Sequence, residues 1–236
     1  MKNKLNCSAC GYENNFYERI CSSCKSYLRD RVVNIDLWSV LSILVETPNK
    51  AFRGIIYAEH KNFIFFLLLI ASIKYLITAR LIAGYTIGEF ISTTGIFISF
   101  LIILCGLTLF FLLFSFLVKI IWKNLGFCTR YKDNLAVIIY SQMPLIFALI
   151  LLFPLEIIIF GDYLFSNNPS PFQIKNTIAY LFFSIEIIAI LWSFFLFFSA
   201  FYVSSNSKAL SITTTTVFIL VLSALIIFSS KIIFTL

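Results

Sequence analysis

The sequence predicts an all-α polytopic membrane protein with five transmembrane helices, preceded by an N-terminal four-cysteine zinc ribbon. Three observations carry this expectation. The 236 residues are 60% hydrophobic and only 12% charged, about half the charge of an average soluble domain. The charges are also uneven, because residues 1–61 hold 9 of the 18 Lys and Arg and 6 of the 11 Asp and Glu. Four of the six cysteines fall within the first 24 residues as two Cys-x-x-Cys pairs. An ordinary soluble globule is excluded, and disorder beyond residue 61 is excluded by the lack of polar sequence.

Residues 1–30 form the expected zinc ribbon. They contain no apolar run long enough for a secretory signal, so the head is expected to stay in the cytosol. The order is Cys7-x2-Cys10, ten residues, then Cys21-x2-Cys24. Two residues between thiolates let one tight turn aim both sulfurs at one ion, and the longer spacer brings the second turn round. Gly11 supplies the backbone freedom that such a turn needs. Two disulfides would require an oxidising compartment, and a redox pair would require a strand-to-helix context that this stretch lacks. Four thiolates leave no open position, so the expected cofactor is one structural zinc per chain. Tyr12, Ile20, Tyr27 and Leu28 are the apolar side chains available to pack around it. They are too few to fold a domain unaided, which makes metal binding the folding energy. The net charge of +3 over residues 1–61 is a weak footprint for nucleic acid, which is not an expected partner. A basic flank beside a membrane accounts for it.

Residues 31–61 read as an interfacial amphipathic segment. Asp36 to Val45 makes a short helix with Leu37, Trp38, Leu41, Leu44 and Val45 on one side. Thr47 is placed to cap a second helix with Pro48 at its first position. That helix would show Phe52, Ile55 and Ile56 on one face and leave Lys50, Arg53 and Lys61 free to meet lipid headgroups. Its apolar face has two placements: on the bilayer surface, or packed under the ribbon or against the helical bundle.

Residues 62–236 hold the five spans, approximately Asn62 to Ala83, Ser92 to Trp122, Asn134 to Phe160, Asn176 to Val203 and Ser211 to Phe234. Each is at least twenty residues long, enough to cross roughly 30 Å of hydrocarbon. With the head on the inner side, that side carries 14 Lys and Arg, including Lys119, Lys123, Arg130, Lys132 and Lys208, against Lys175 and Lys231 outside. The expected topology is therefore N-terminus cytoplasmic and C-terminus on the opposite side.

Within the spans, Lys74, Arg80, Glu156 and Glu186 are ionisable, and a charge in lipid marks either a functional site or a paired or snorkelling side chain. At ~1.5 Å per helical residue, Lys74 and Glu186 lie about 14 to 15 Å below the outer span ends, and Arg80 and Glu156 about 5 to 6 Å. Matched depth predicts the pairs Lys74 with Glu186 and Arg80 with Glu156. Pro144 and Pro154 predict kinks in the third span, and Tyr140, Ser141 and Gln142 are placed to satisfy freed carbonyls or line a cavity. Cys105 and Cys128 read as free thiols, the second placed where palmitoylation could occur. His60 stands alone, and the chain has no catalytic triad, P-loop or dinucleotide fingerprint, so no enzyme is expected.

The order of these features resembles the Yip family of five-span membrane proteins. The segments carrying the resemblance are Glu46 to Phe52 (ETPNKAF), Gly126, Tyr140 to Pro144 (YSQMP), Pro154 and Ser204 to Leu210 (SSNSKAL), over roughly Leu37 to Phe228. The head looks like the small zinc ribbons that precede many prokaryotic membrane domains. The Arv family, which also joins a zinc ribbon to several spans and is linked with lipid handling, is the nearest rival, and the YSQMP segment favours Yip. The resemblance implies a non-enzymatic membrane protein whose ribbon docks a cytosolic or membrane partner, with self-association left open. The alternative is a transporter or lipid-handling protein built on the intramembrane polar residues.

Overall fold

The computed structural model describes residues 3–87, 91–92, 94–166 and 168–235. Met1, Lys2 and Leu236, the outer bounds of the expected ribbon and membrane domain, lie outside the described residues. The chain is 73% helical with almost no sheet. The ribbon contributes β1 (Lys4–Asn6) and β2 (Glu13–Asn15), followed by α1 (Leu37–Glu46) and α2 (Pro48–Tyr57). Then come α3 (Ile64–Ile87), β3 (Ile91–Ser92) and α4 (Ile96–Asn124). The third span is broken into α5 (Tyr131–Tyr140), α6 (Met143–Phe147), a π-helical turn (Ala148–Leu152), α7 (Phe153–Phe160) and a 3-10 turn (Gly161–Phe165). After the short α8 (Pro171–Ile174), α9 (Asn176–Ser205) and α10 (Lys208–Ile233) lead to β4 (Phe234–Thr235). Among the described residues five stretches are long and apolar enough to cross a bilayer: Ile64–Ala83, Ile96–Asn124, Tyr131–Phe165, Asn176–Ser205 and Lys208–Ile233. They match the expected spans to within a few residues at most boundaries.

Contacts divide the chain into two compact units. The first comprises Met1–Phe65, Phe111–Ser141 and Leu196–Thr216, and the second comprises Phe66–Phe110, Gln142–Phe195 and Val217–Leu236.

In the first unit α2 packs against both α1 and α5. Phe52, Ile55 and Ile56 are fully buried, each worth about 1.5 to 3 kcal/mol of apolar burial. The face of α2 that the sequence offered to lipid or protein is thus covered by protein. On α1 only Leu44 is buried, while Trp38 and Val45 remain exposed. Thr47 does not cap α2 with its side chain, because its hydroxyl turns back to donate to the Ile43 carbonyl at 3.5 Å. Nor is Lys61 free for headgroups. Its ammonium is buried, donates to the carbonyls of Ile55, Ile56 and Ala58, and pairs with Asp133 at 2.9 Å. A cation there satisfies the orphan carbonyls at the end of α2 and complements its dipole.

The end of α4 is a Schellman motif. Gly126 adopts a φ of +87°, its N–H bonds the Lys123 carbonyl and the Phe127 N–H bonds the Trp122 carbonyl. The Trp122 and Phe127 rings meet at 6.3 Å, the apolar contact that accompanies this cap. Trp122 also meets Phe201 edge-on at 5.7 Å and donates to Thr214 at 3.3 Å.

In the second unit Phe160, Leu164, Ala179 and Phe182 form a buried cluster, and Phe110 meets Phe218 at 5.3 Å. Both prolines act where expected, though by different means. Pro144 starts α6 after a turn at Ser141 and Gln142, whereas Pro154 starts α7 after the π-helical turn. A proline lacks the N–H and its ring crowds the carbonyl four residues back. A widened π turn relieves that clash without breaking the helix.

Candidate metal centre and intramembrane charges

The two cysteine pairs fold into two turns with one hydrogen-bond pattern. In the first, Gly11 N–H donates to the Cys7 carbonyl at 2.8 Å and Cys7 N–H to the Tyr12 carbonyl at 3.0 Å. In the second, Lys25 N–H donates to the Cys21 carbonyl at 3.1 Å and Cys21 N–H to the Ser26 carbonyl at 2.9 Å. Gly11 and Lys25 thus occupy the same position, and both are left-handed, with φ of +72° and +60°. The Gly11 reading holds. The signal in the sequence for Lys25 is that, like Gly11, it directly follows the second cysteine of its pair.

The four sulfurs of Cys7, Cys10, Cys21 and Cys24 lie within 4.8 Å of one another. Cys7 and Cys24 are 3.6 Å apart, as are Cys10 and Cys21. These separations are far from the ~2.05 Å of a disulfide and close to the ~3.8 Å edge of a tetrahedron with ~2.3 Å zinc–sulfur bonds. The set therefore fits a metal such as zinc.

Polar neighbours support this. The Ser26 hydroxyl lies 3.1 Å from the Cys7 sulfur and 3.0 Å from that of Cys24. Buried Asn14 donates to the Cys21 sulfur at 3.5 Å and is itself fixed by Ser22, whose N–H and hydroxyl both donate to the Asn14 Oδ1. The Ser26 hydrogen bond, followed by the Cys10 N–H, brings the Cys7 thiol down to about 6. The Tyr12 N–H would lower Cys10 too, but Cys24, burial, Cys21 and Cys7 together push it up to about 11. Crowded thiols resist full ionisation alone, and a dication removes that resistance.

Tyr12, Ile20 and Tyr27, expected as the packing around the sulfurs, are left exposed. They are 51%, 41% and 72% exposed, with Ile20 and Tyr27 paired across a β-bridge. Burial comes instead from docking within the first unit. Asn3 donates to the carbonyls of Cys128 and Ser204 and accepts from the Cys128 N–H. Arg29 donates to the Tyr17 carbonyl at 2.8 Å and lies 4.3 Å from the Tyr57 ring centre. Glu59 accepts from both Arg19 and Arg31 at 3.0 Å. Arg130 lies 4.9 Å from the Tyr17 ring centre and pairs with Asp133 at 2.7 Å. In the sequence the signal for Asp133 is its three-residue spacing from Arg130 at a helix start.

Among the intramembrane residues, Lys74 and Glu186 form the expected pair at 2.5 Å, with side chains 7% and 19% exposed. The second expected pair is absent among the described residues. Arg80 is exposed and stacks at 4.4 Å over Phe165, where snorkelling toward water is cheaper than reaching a buried carboxylate. Glu156 is 9% exposed, and the charges of Glu186 and Lys74 both reach it. Tyr140 is used structurally: its hydroxyl donates to the Asn62 carbonyl at 2.8 Å. Ser141 donates to the Val137 carbonyl at 2.7 Å. Gln142 accepts from Tyr75 at 2.6 Å, and its buried amide nitrogen has no partner among the described residues. Compared with known proteins, the chain matches no family model, no curated protein and no solved structure.

Proposed function

We propose that the chain is a non-enzymatic integral membrane protein of Yip-like type, with its zinc ribbon in the cytosol and its carboxyl terminus on the opposite side. In this reading the ribbon docks a partner protein and the five helices organise membrane or partner proteins. The observation that carries it is the exposed apolar pair Ile20 and Tyr27 on the ribbon. Tyrosine is among the residue types enriched at the anchors of protein interfaces, and the β-bridge holds Ile20 beside Tyr27. Four thiolates with no open position favour a structural role for the metal over a catalytic one, and the excess of basic residues on the head side supports the orientation. The test is co-purification in mild detergent of the full chain and of Ile20→Ser with Tyr27→Ser. Partners lost from the variant at unchanged zinc content are expected; an identical set from both would contradict the reading.

A second reading, a transporter or lipid-handling protein, is favoured by the buried Gln142 Nε2, which has no partner among the described residues although its oxygen accepts from Tyr75. A bound lipid or solute retained by both proteins in the same experiment would favour it.

A further inference from the structure

Lys74, Glu156 and Glu186 set two carboxyl groups against one ammonium inside the second unit. Lys74 comes from α3, Glu186 from α9 and Glu156 from the first turn of α7, two residues beyond Pro154. The ammonium is committed to Glu186 at 2.5 Å. Glu156 is nine-tenths buried and makes no ion pair or hydrogen bond among the described residues, and the charges of that same pair both reach it. A medium without water does not tolerate an uncompensated charge. The group can stay there only if the trio is neutral overall, as one ammonium, one carboxylate and one carboxylic acid.

We propose that Glu156 holds an exchangeable proton and that the three residues form an intramembrane proton-binding site. The proton and the Lys74 ammonium are coupled. If the ammonium moves from Glu186 to Glu156, the proton passes from the Glu156 carboxyl to the Glu186 carboxylate, and the trio stays neutral throughout. The two arrangements carry equal charge, so the site passes between them without leaving a net charge in the apolar interior. Glu156→Gln and Glu186→Gln both preserve neutrality and should fold.

This inference rests on reading the helices as membrane spans, which resistance to alkaline extraction tests separately. The site itself is tested by infrared difference spectra of the full chain in phosphatidylcholine vesicles, which distinguish a neutral carboxyl from a carboxylate. The wild type minus Glu156→Gln should show the loss of one neutral carboxyl band that shifts in deuterated water. Glu186→Gln should lose the same band, because Lys74 is then free to pair with Glu156 as a carboxylate. Lys74→Met, if it folds, should double the band. A carboxylate band lost in Glu156→Gln, or a neutral band that survives in Glu186→Gln, would overturn the proposal.

Discussion

Lys61 and Asp133 tie the end of one helix to the start of another through a buried ion pair of 2.9 Å. Lys61 gathers the last carbonyls of α2, and Asp133 stands in the first turn of α5, so each charge also faces the favourable end of a helix dipole. Because Arg130 shares the same carboxylate, the two partners are not equivalent. Asp133→Asn leaves two cations without their anion and should destabilise by about 3 to 5 kcal/mol. Lys61→Met leaves Asp133 still paired with Arg130 and should be milder. Thermal unfolding in detergent checks the order.

For Lys74 and Glu186, removal of one partner breaks the 2.5 Å ion pair and leaves the other to turn to Glu156 or to take up a proton. Lys74→Met and Glu186→Gln together should be less destabilising than the sum of the two single changes, with a coupling of about 0.5 to 3 kcal/mol. Arg80→Met with Glu156→Gln should instead add, since these two residues form no pair. A double-mutant cycle read by unfolding separates the cases.

The equivalence of Gly11 and Lys25 gives a prediction of opposite signs. Gly11→Ala forces a side chain into the left-handed region and should cost about 1 kcal/mol. Lys25→Gly removes that penalty and should be neutral or stabilising. Competition with a metal chelator should therefore rank the variants Lys25→Gly, wild type, Gly11→Ala in falling metal retention.

Glu59 gives the ribbon's attachment a pH dependence. Hydrogen bonds from Arg31, against opposing burial and with the charges of Arg31 and Arg19, hold its carboxyl below the ordinary 4.5. A group depressed in the folded state contributes stability above its unfolded value and loses it as pH falls through the folded one. The difference in unfolding temperature between wild type and Glu59→Gln should therefore be constant near neutrality and shrink below about pH 4.5.

What could be read from the sequence followed from covalent spacing and from runs of apolar residues. The paired cysteines predicted four sulfurs gathered at one point, and five runs of spanning length predicted five long apolar helices. The Lys74 and Glu186 pair was legible because depth along a helix is a matter of counting. The same count failed for Arg80 and Glu156, because it gives depth and not azimuth. The π-helical turn before Pro154 changes which way the following residues face, and the count has no sight of it. Lys61 looked like a headgroup anchor because its partner Asp133 lies far along the chain. Ile20 and Tyr27 looked like packing for the metal because the sequence does not show that the ribbon is held instead by Asn3, Arg29 and Glu59.

Elemental analysis of the detergent-purified full chain tests most directly that Cys7, Cys10, Cys21 and Cys24 together hold one zinc ion. The expected result is one zinc per chain, lost in Cys21→Ser with Cys24→Ser, with all four thiols of the metal-stripped protein open to alkylation without a reductant. A chain without zinc, zinc content unchanged in the variant, or thiols that react only after disulfide reduction would contradict it.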